Sequence, residues 1–574
     1  MKEIKRLLGS YAYGYRLMLF ISFLLAILYV GATLVTPILV GYAIDEINEG
    51  LINTNKILVY IITLVVIIIL GAFAGYFMNY MLSRVTFLTI RDMRNDTFSK
   101  LLNVSVKTLD TRAHGDIIAR ITTDLDVVQD GMIQSLTEAL TGIITILVTL
   151  IFMLVLNYQI GLIVVALTPL SLIVAAIIAR LSFNTVKNTS KTKGDLTSFV
   201  NEMIENQKVV IAYNHEEKNE EVFKALDKEL YKHGVNAQFY SSLSNPSTRF
   251  INAIIYLVVA TFGSLTIING SNLLTVGLLS TFLSYASQYT KPFNSISAVW
   301  AELQNSISSL KRIYEWIDLG EIDKNGMTLN NPSGEVIFND ISFSYNGKKQ
   351  IIKNFNLKVN PGEKVAIVGP TGCGKTTLIN LLMKFYEVNT GQILVDGKNI
   401  NEIDEKSYRE NIGMVLQDTW LFDGTIYENI AYGKEVASKE EVVEAAKNAY
   451  ADDFIMRLPL GYDTHVSADD GVSIGEKQLL CIARLMLRMP NILILDEATS
   501  NIDILTEIKV TKAFNKMMKG RTTFIIAHRL QTIKSADKIV VMKDGKIVEM
   551  GRHEELLAKN GFYKEIYNSQ FQTE

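Results

Sequence analysis

Gly369-Pro-Thr-Gly-Cys-Gly-Lys-Thr-Thr377 is the stretch on which the reading of this chain turns. It fits G-x-x-x-x-G-K-[ST], and its flanks suit that pattern. Val365-Ala-Ile-Val368 before it reads as a buried strand, and Leu378-Ile-Asn-Leu-Leu-Met383 after it as the start of a helix. In this setting Gly369, Thr371, Gly372 and Gly374 form a loop whose backbone N–H groups can point at phosphate oxygens. Lys375 carries a positive charge toward the β- and γ-phosphates, the Thr376 hydroxyl is placed to ligate Mg²⁺, and Thr377 follows it into the helix. A glycine-rich turn that binds nothing is the plain alternative; the strand–loop–helix context argues against it.

A second motif lies more than a hundred residues on. Ile492-Leu-Ile-Leu-Asp496 is an apolar strand ending in a carboxylate, with Glu497 next. Asp496 can hold Mg²⁺ through water, and Glu497 can polarise a water that attacks the γ-phosphate. Acidic residues at strand ends are common, so the pair gains its meaning from the phosphate loop.

Working outward, the 574 residues, 49% of them hydrophobic, divide into two halves of different character. Before about residue 300 lie six long apolar runs, roughly 17–41, 57–82, 139–156, 160–182, 250–268 and 275–298. Most reach the length of a membrane-spanning helix, and burying all six in a soluble core is the weaker reading. The connections after the first, third and fifth runs hold one basic residue, Lys56. Connections 83–138 and 183–249 are long, helical in pattern and rich in Lys and Arg, and the N-terminus adds Lys2, Lys5, Arg6 and Arg16. The positive-inside bias predicts a multi-pass protein of the cytoplasmic membrane with both termini in the cytoplasm. No cleavable signal peptide is evident. The net charge of −3 says nothing about partners, and none of the features points to nucleic acid. The two cysteines, Cys373 and Cys481, form no disulfide framework or metal-site spacing. From the composition shift we expect a transmembrane domain over 1–320, a polar linker over 321–334 and an α/β nucleotide-binding domain over 335–574.

The motif order resembles the cassette of ATP-binding cassette (ABC) transporters. The whole chain resembles the exporter half-transporter layout, an α-helical bundle of six spans followed by one α/β P-loop cassette. Tyr345, in Phe343-Ser-Tyr-Asn, resembles the aromatic that stacks on adenine. Gln417, in Val415-Leu-Gln-Asp-Thr419, resembles the glutamine that senses Mg²⁺ and the attacking water. Val472-Ser-Ile-Gly-Glu476 stands in place of the signature Leu-Ser-Gly-Gly-Gln, with Ser473 and Gly475 retained. Asp503 closes Ser500-Asn-Ile-Asp503 at the D-loop, and His528, in Ile525-Ile-Ala-His-Arg529, stands at the switch histidine. The resemblance implies ATP and Mg²⁺ as ligands, with Thr376, Gln417 and Asp496 toward the metal and Glu497, Gln417 and His528 in catalysis. It also implies a second half-transporter, because the signature closes over the nucleotide of the facing cassette. The departures at Ile474 and Glu476, and the acidic Ser467-Ala-Asp-Asp-Gly471 before them, suggest a weakened site. They favour a heterodimer in which this chain supplies the catalytic Glu; a homodimer with a divergent signature is the alternative.

Thr108–Asp116 resembles the first coupling segment, and Asn201–His215 resembles the stretch leading to a second coupling helix, expected near 212–223 and reaching across to the partner's cassette. An ordinary solvated helix is the bland reading of each. Ser284, Tyr285, Gln288, Tyr289 and Asn294 on the sixth run either line a cavity for amphipathic compounds or hydrogen-bond between helices. The expected activity is ATP-driven export of an amphipathic or hydrophobic, multidrug- or lipid-like cargo across the bilayer. An importer of the same layout, a peptide or lipid flippase, a soluble ABC ATPase and a P-loop kinase or GTPase are the competing classes. The last two lack, respectively, the six spans and the signature, Q-loop and switch histidine.

Overall fold

The computed structural model describes residues 2–48, 53–269, 274–320, 326–415, 419–467, 471–496, 502–526 and 533–571. Two compact units result: one of residues 1–102 and 113–319, the other of residues 320–574 together with the short segment 103–112.

The first unit is all helix. Its long members are Arg16–Asn48, Thr54–Asn103, Thr123–Leu156, Tyr158–Glu205, Glu216–Ser242, Ser244–Ile268 and Val276–Ile317. All six apolar runs fall on these helices. Among the described residues, four helical segments are long and apolar enough to cross a membrane: Ala12–Ile47, Thr54–Asn103, His114–Leu156 and Glu216–Ile268. Leu58, Ile61, Ile62, Val65, Val66, Ile68 and Ile69 all lie exposed along one of them, a surface that suits lipid and not water. The helices outrun the apolar stretches: Thr54–Asn103 is 50 residues long, about 75 Å at the helical rise.

Polar contacts tie the first and last long helices together. The Asp45 carboxylate accepts from the Thr275 hydroxyl at 2.6 Å and from the Gly277 N–H at 2.7 Å. Four residues along, Thr281 Oγ1 donates to the Pro37 carbonyl at 3.0 Å, and four further on the Tyr285 hydroxyl donates to the Leu34 carbonyl at 2.7 Å. The spacing of four keeps these groups on one helix face. Of the five polar residues on the sixth run, Tyr285 is therefore an interhelical hydrogen-bond donor here, Tyr289 is buried, and Ser284 bonds its own helix at the Ser280 carbonyl. At the other end, Asp124 is buried and receives Ser309 at 3.0 Å and the Arg312 Nε at 2.9 Å. A buried carboxylate needs such partners.

Of the stretch near 212–223, where a helix is expected, residues 216–223 are helical. A short helix runs over Gln207–Ala212, and the next begins at Glu216. Asn214 between them sits at φ +51°, a left-handed conformation that asparagine tolerates and that interrupts the helix.

The second unit is α/β. Its strands are β1 (Val336–Phe343), β2 (Ile352–Val359), β3 (Lys364–Val368), β4 (Thr390–Val395), β5 (Lys398–Asn399), β6 (Ile412–Val415), β7 (Gly424–Thr425), β8 (His465–Val466), β9 (Ile492–Asp496), β10 (Thr522–Ile526), β11 (Lys538–Lys543) and β12 (Lys546–Gly551). A six-stranded sheet has the order β12-β11-β3-β10-β9-β6, and a four-stranded antiparallel sheet the order β2-β1-β4-β5. The two faces of the larger sheet are separated by alternation along each strand. Val365, Ile367, Ile492, Ile494, Phe524 and Ile526 join the core that includes Leu378 and Leu382, while Ala366, Val368, Leu493, Leu495 and Ile525 join the core under the 474–486 helix. Residues 326–334 pack onto this unit and do not hang free. Leu329 is buried, and the Asp396 carboxylate accepts from the Ser333 hydroxyl at 2.7 Å and the Glu335 N–H at 2.9 Å.

Candidate nucleotide site

The register of the parallel strands sets the site. Ile526 pairs with Ile367 on one side and Asp496 on the other; Leu495 pairs with Val415, and Val541 with Val368. The C-terminal ends of β3, β6, β9 and β10 thus form one edge. The 369–374 loop leaves that edge beside β10 and β11, where connections diverge to either side. Open α/β sheets bind ligands at such a place. Gln417, Glu497 and His528 lie outside the described residues; the strand ends that precede them, Val415, Asp496 and Ile526, share this edge.

The loop is shaped by its glycines. Gly372 and Gly374 have φ of +80° and +107°, which residues with a Cβ avoid. A Cβ on Gly374 would also lie 2.7 Å from Ile352 Cδ1. Gly374 caps the helix Lys375–Leu382, so the helix N–H groups open toward the loop. Lys375 folds back over it, its ammonium donating to the Gly369 carbonyl at 2.6 Å and the Pro370 carbonyl at 3.1 Å. Thr371 and Thr376 are exposed and Thr377 is buried. Asp496 is buried at the end of β9. Cys373 is buried in the loop, and burial pushes its thiol above the ordinary value.

Tyr345 stands half-exposed beside the loop helix. Its hydroxyl bonds Thr377 Oγ1 at 3.2 Å, and its ring meets Phe343 and Tyr386 edge to face, both at 4.9 Å. Tyr386 closes the cluster and was not singled out in the sequence, because nothing in its local pattern marks it.

Ser473, Gly475 and Asp503 come together on two packed helices, Ile474–Met486 and Ile504–Met518. Ser473 is the N-cap of the first. It accepts from the Glu476 N–H at 3.3 Å, while its own N–H donates to Glu476 Oε2 at 2.9 Å, a closed capping box. Ser473-x-x-Glu476 carries that signature openly, so sequence reasoning could have found it. Gly475 is buried, and a Cβ there would sit 2.7 Å from Ile502 Cγ2. Asp503 caps the second helix, accepting the Thr506 N–H at 2.9 Å, and that bond holds its carboxyl below the usual range.

The donor set fits a nucleotide triphosphate: a glycine-shaped loop at a helix N-terminus, a lysine at its mouth and an aromatic ring alongside. Among the described residues no cluster of three or more His, Cys, Asp or Glu could cage a metal. The exposed Thr376 hydroxyl and the Asp496 carboxylate suit Mg²⁺, which takes few protein ligands and completes its shell with phosphates and water.

Comparison with known proteins agrees. Residues 19–293 match the family described as ABC transporter transmembrane region, and residues 352–500 match the family described as ABC transporter. The chain is 39% identical over 480 residues to a fatty acid ABC transporter ATP-binding/permease protein of Mycobacterium tuberculosis, covering 83% of this chain and 76% of that one. It is 35% identical over 573 residues to a putative multidrug export ATP-binding/permease protein of Bacillus subtilis, covering 97% of each. It is 34% identical over 539 residues to an ATP-dependent lipid A-core flippase of Syntrophus aciditrophicus, covering 93% of this chain and 89% of that one. The chain belongs to the ABC transporter family. It is a multi-pass membrane protein with an ATP-hydrolysing cassette that drives transport of a substrate.

Proposed function

We propose that this chain is one half of a six-span exporter that moves amphipathic or lipid-like compounds out of the cytoplasm, with both termini cytoplasmic. The observation that carries the reading is the shared sheet edge from which the 369–374 loop, Asp496 and the strands before Gln417, Glu497 and His528 emerge. On it, the 369–374 amides and Lys375 hold the phosphates, and Tyr345 supports the base. Thr376, Asp496 and Gln417 hold Mg²⁺, which offsets phosphate charge when bound. Glu497 orients and polarises the attacking water, and His528 contacts the γ-phosphate. The two apolar runs beyond the four spans of sufficient length and apolarity lie on the helices Tyr158–Glu205 and Val276–Ile317, which supports a count of six. The cargo class is supported by relatives whose names specify fatty acid, multidrug export and lipid A-core.

Ser473, Gly475 and Asp503 complete the nucleotide site of a facing cassette, so two chains are needed. The Glu476 carboxylate at the first turn of the signature helix supports a weakened site. It neutralises the helix end that would attract a phosphate. A heterodimer follows, this chain supplying the intact Glu497 and its partner the intact signature. Mg²⁺-dependent ATPase of the chain purified alone as a dimer tests this. The expected turnover is weak; robust turnover from two identical sites would leave the homodimeric exporter standing instead.

A further inference from the structure

The residues that lead into the first span are pinned inward at three carboxylates. Arg6 places a fork of two hydrogen bonds on Asp318, both at 2.6 Å, and lies 4.2 Å from the centre of the Tyr314 ring. The Tyr11 hydroxyl donates to Asp96 Oδ2 at 2.8 Å, and the Tyr15 hydroxyl to Asp92 Oδ2 at 2.7 Å. Leu7 and Ala12 are buried. Asp92 and Asp96 stand on the helix Thr54–Asn103, and Tyr314 and Asp318 at the end of Val276–Ile317. Residues 6–15 thus run side to side between two long helices, and their polar groups use up the carboxylates beneath them.

The outer face is of the opposite charge. Lys2, Lys5 and Leu8 follow one another at a spacing of three on the helix Lys2–Ser10, and all three are exposed, as are Tyr13, Arg16 and Leu17. Arg6, Arg91 and Arg94 are each paired with an aspartate. Among the described residues Lys2, Lys5 and Arg16 have no ion-pair partner; the Arg16 guanidinium lies over the Tyr13 ring at 4.9 Å and donates to its hydroxyl at 2.7 Å. Leu17 and Phe20 then carry the exposed apolar surface onward into the span Ala12–Ile47.

We propose that the outer face of residues 2–17 is a docking surface for the headgroups of anionic phospholipids. Two observations choose this occupant: the surface is continuous with a lipid-facing span, and its three cations lack counter-charges. A segment that runs side to side at the foot of a span lies along the headgroup layer. Leu8, Tyr13 and Leu17 meet the acyl boundary, while Lys2, Lys5 and Arg16 reach the phosphates. A zwitterionic headgroup brings its own cation and compensates these charges poorly, whereas an anionic one compensates them. The Tyr13 ring holds the Arg16 guanidinium in place, so less side-chain freedom is lost when a phosphate binds. Bound lipid keeps residues 6–15 on Asp92, Asp96 and Asp318, and so stabilises the fold by mass action. The inference depends on the chain spanning a bilayer and on neither cargo nor nucleotide.

The test is native mass spectrometry of the purified full-length transporter, titrated with equal amounts of dioleoyl phosphatidylglycerol and dioleoyl phosphatidylcholine. The native chain retains phosphatidylglycerol in preference. K5Q and R16Q each weaken phosphatidylglycerol binding about fivefold, the share of one cation near a membrane surface, and leave phosphatidylcholine binding unchanged. K5R keeps the preference. K224Q, which removes an exposed cation already paired with Glu220, keeps it too. In nanodiscs, phosphatidylglycerol raises the unfolding temperature of the native transporter and not that of K2Q/K5Q/R16Q, while the two unfold alike in phosphatidylcholine. Equal retention of both lipids by the native chain, or a preference that survives in K2Q/K5Q/R16Q, would overturn the proposal. Displacement of phosphatidylglycerol by glycerol 3-phosphate, which has the anionic group without the chains, would also overturn it by making the face a site for a soluble phosphate.

Discussion

The Glu476 carboxylate offers the sharpest quantitative test of how the signature works. Its Oε2 lies 2.9 Å from the Ser473 nitrogen. A phosphate oxygen held by the same cap would sit about 3 Å from Ser473, which places the two charged groups about 6 Å apart. At the dielectric constant of water, unit charges at that distance repel by about 0.7 kcal/mol, and a doubly charged terminal phosphate by about 1.4 kcal/mol. E476Q removes the charge, and its amide oxygen can still accept the Ser473 N–H, so the helix cap survives. AMP-PNP with Mg²⁺ should therefore bind the purified dimer about tenfold more tightly in E476Q at low salt. Screening at physiological ionic strength halves the energy, shrinking the gain to about threefold. Equilibrium binding at the two salt concentrations measures both values. Equal affinity of native and variant chains at low salt would show that Glu476 does not face the phosphate, and the argument for a weakened signature would go with it.

Three further outcomes are expected. E497Q should retain nucleotide binding and lose most hydrolysis, read as kcat against binding affinity, because the carboxylate acts on the water; unchanged kcat would remove Glu497 from that role. G475A should lower the unfolding temperature of the purified transporter, since the added methyl meets Ile502 and Thr506 on the neighbouring helix; overpacking of this kind costs about 1–3 kcal/mol. His553, whose Nδ1 lies 2.7 Å from the Tyr563 hydroxyl, is held below its ordinary value of 6.5 by burial. The unfolded chain then takes up the proton more readily, so the stability His553 contributes is present above pH 6.5 and falls as the pH drops below it. Melting curves from pH 7.5 to 5.5 should show that loss in the native chain and a smaller one in H553Q.

Much of this was legible because its physics is local. The 369–377 loop needs a strand, glycines and a helix in succession, and all three are written consecutively. The apolar runs mark helices by length alone. What sequence could not place depends on tertiary packing. The alternation of Val365 and Ala366 says that β3 is buried on both faces, but not that Ile526 and Asp496 stand level with Ile367. The register of separate strands is settled by the whole sheet. Tyr285 could face a cavity or a neighbour equally well on its own helix, and the Leu34 carbonyl decides the matter here. The break at Asn214 turns on one left-handed residue, which neither composition nor spacing marks. Segment 103–112 is polar and short, and nothing in its composition tells which unit it joins. Glu476 departs from the signature's glutamine, and its spacing from Ser473 spells a helix cap.

The account rests on Lys375 holding a nucleotide whose hydrolysis moves cargo across the bilayer. ATP-dependent accumulation of an amphipathic dye in inside-out vesicles, compared between the native transporter and K375A, tests it most directly. The account predicts uptake in the first and none in the second; uptake that persists in K375A at the native rate would contradict it.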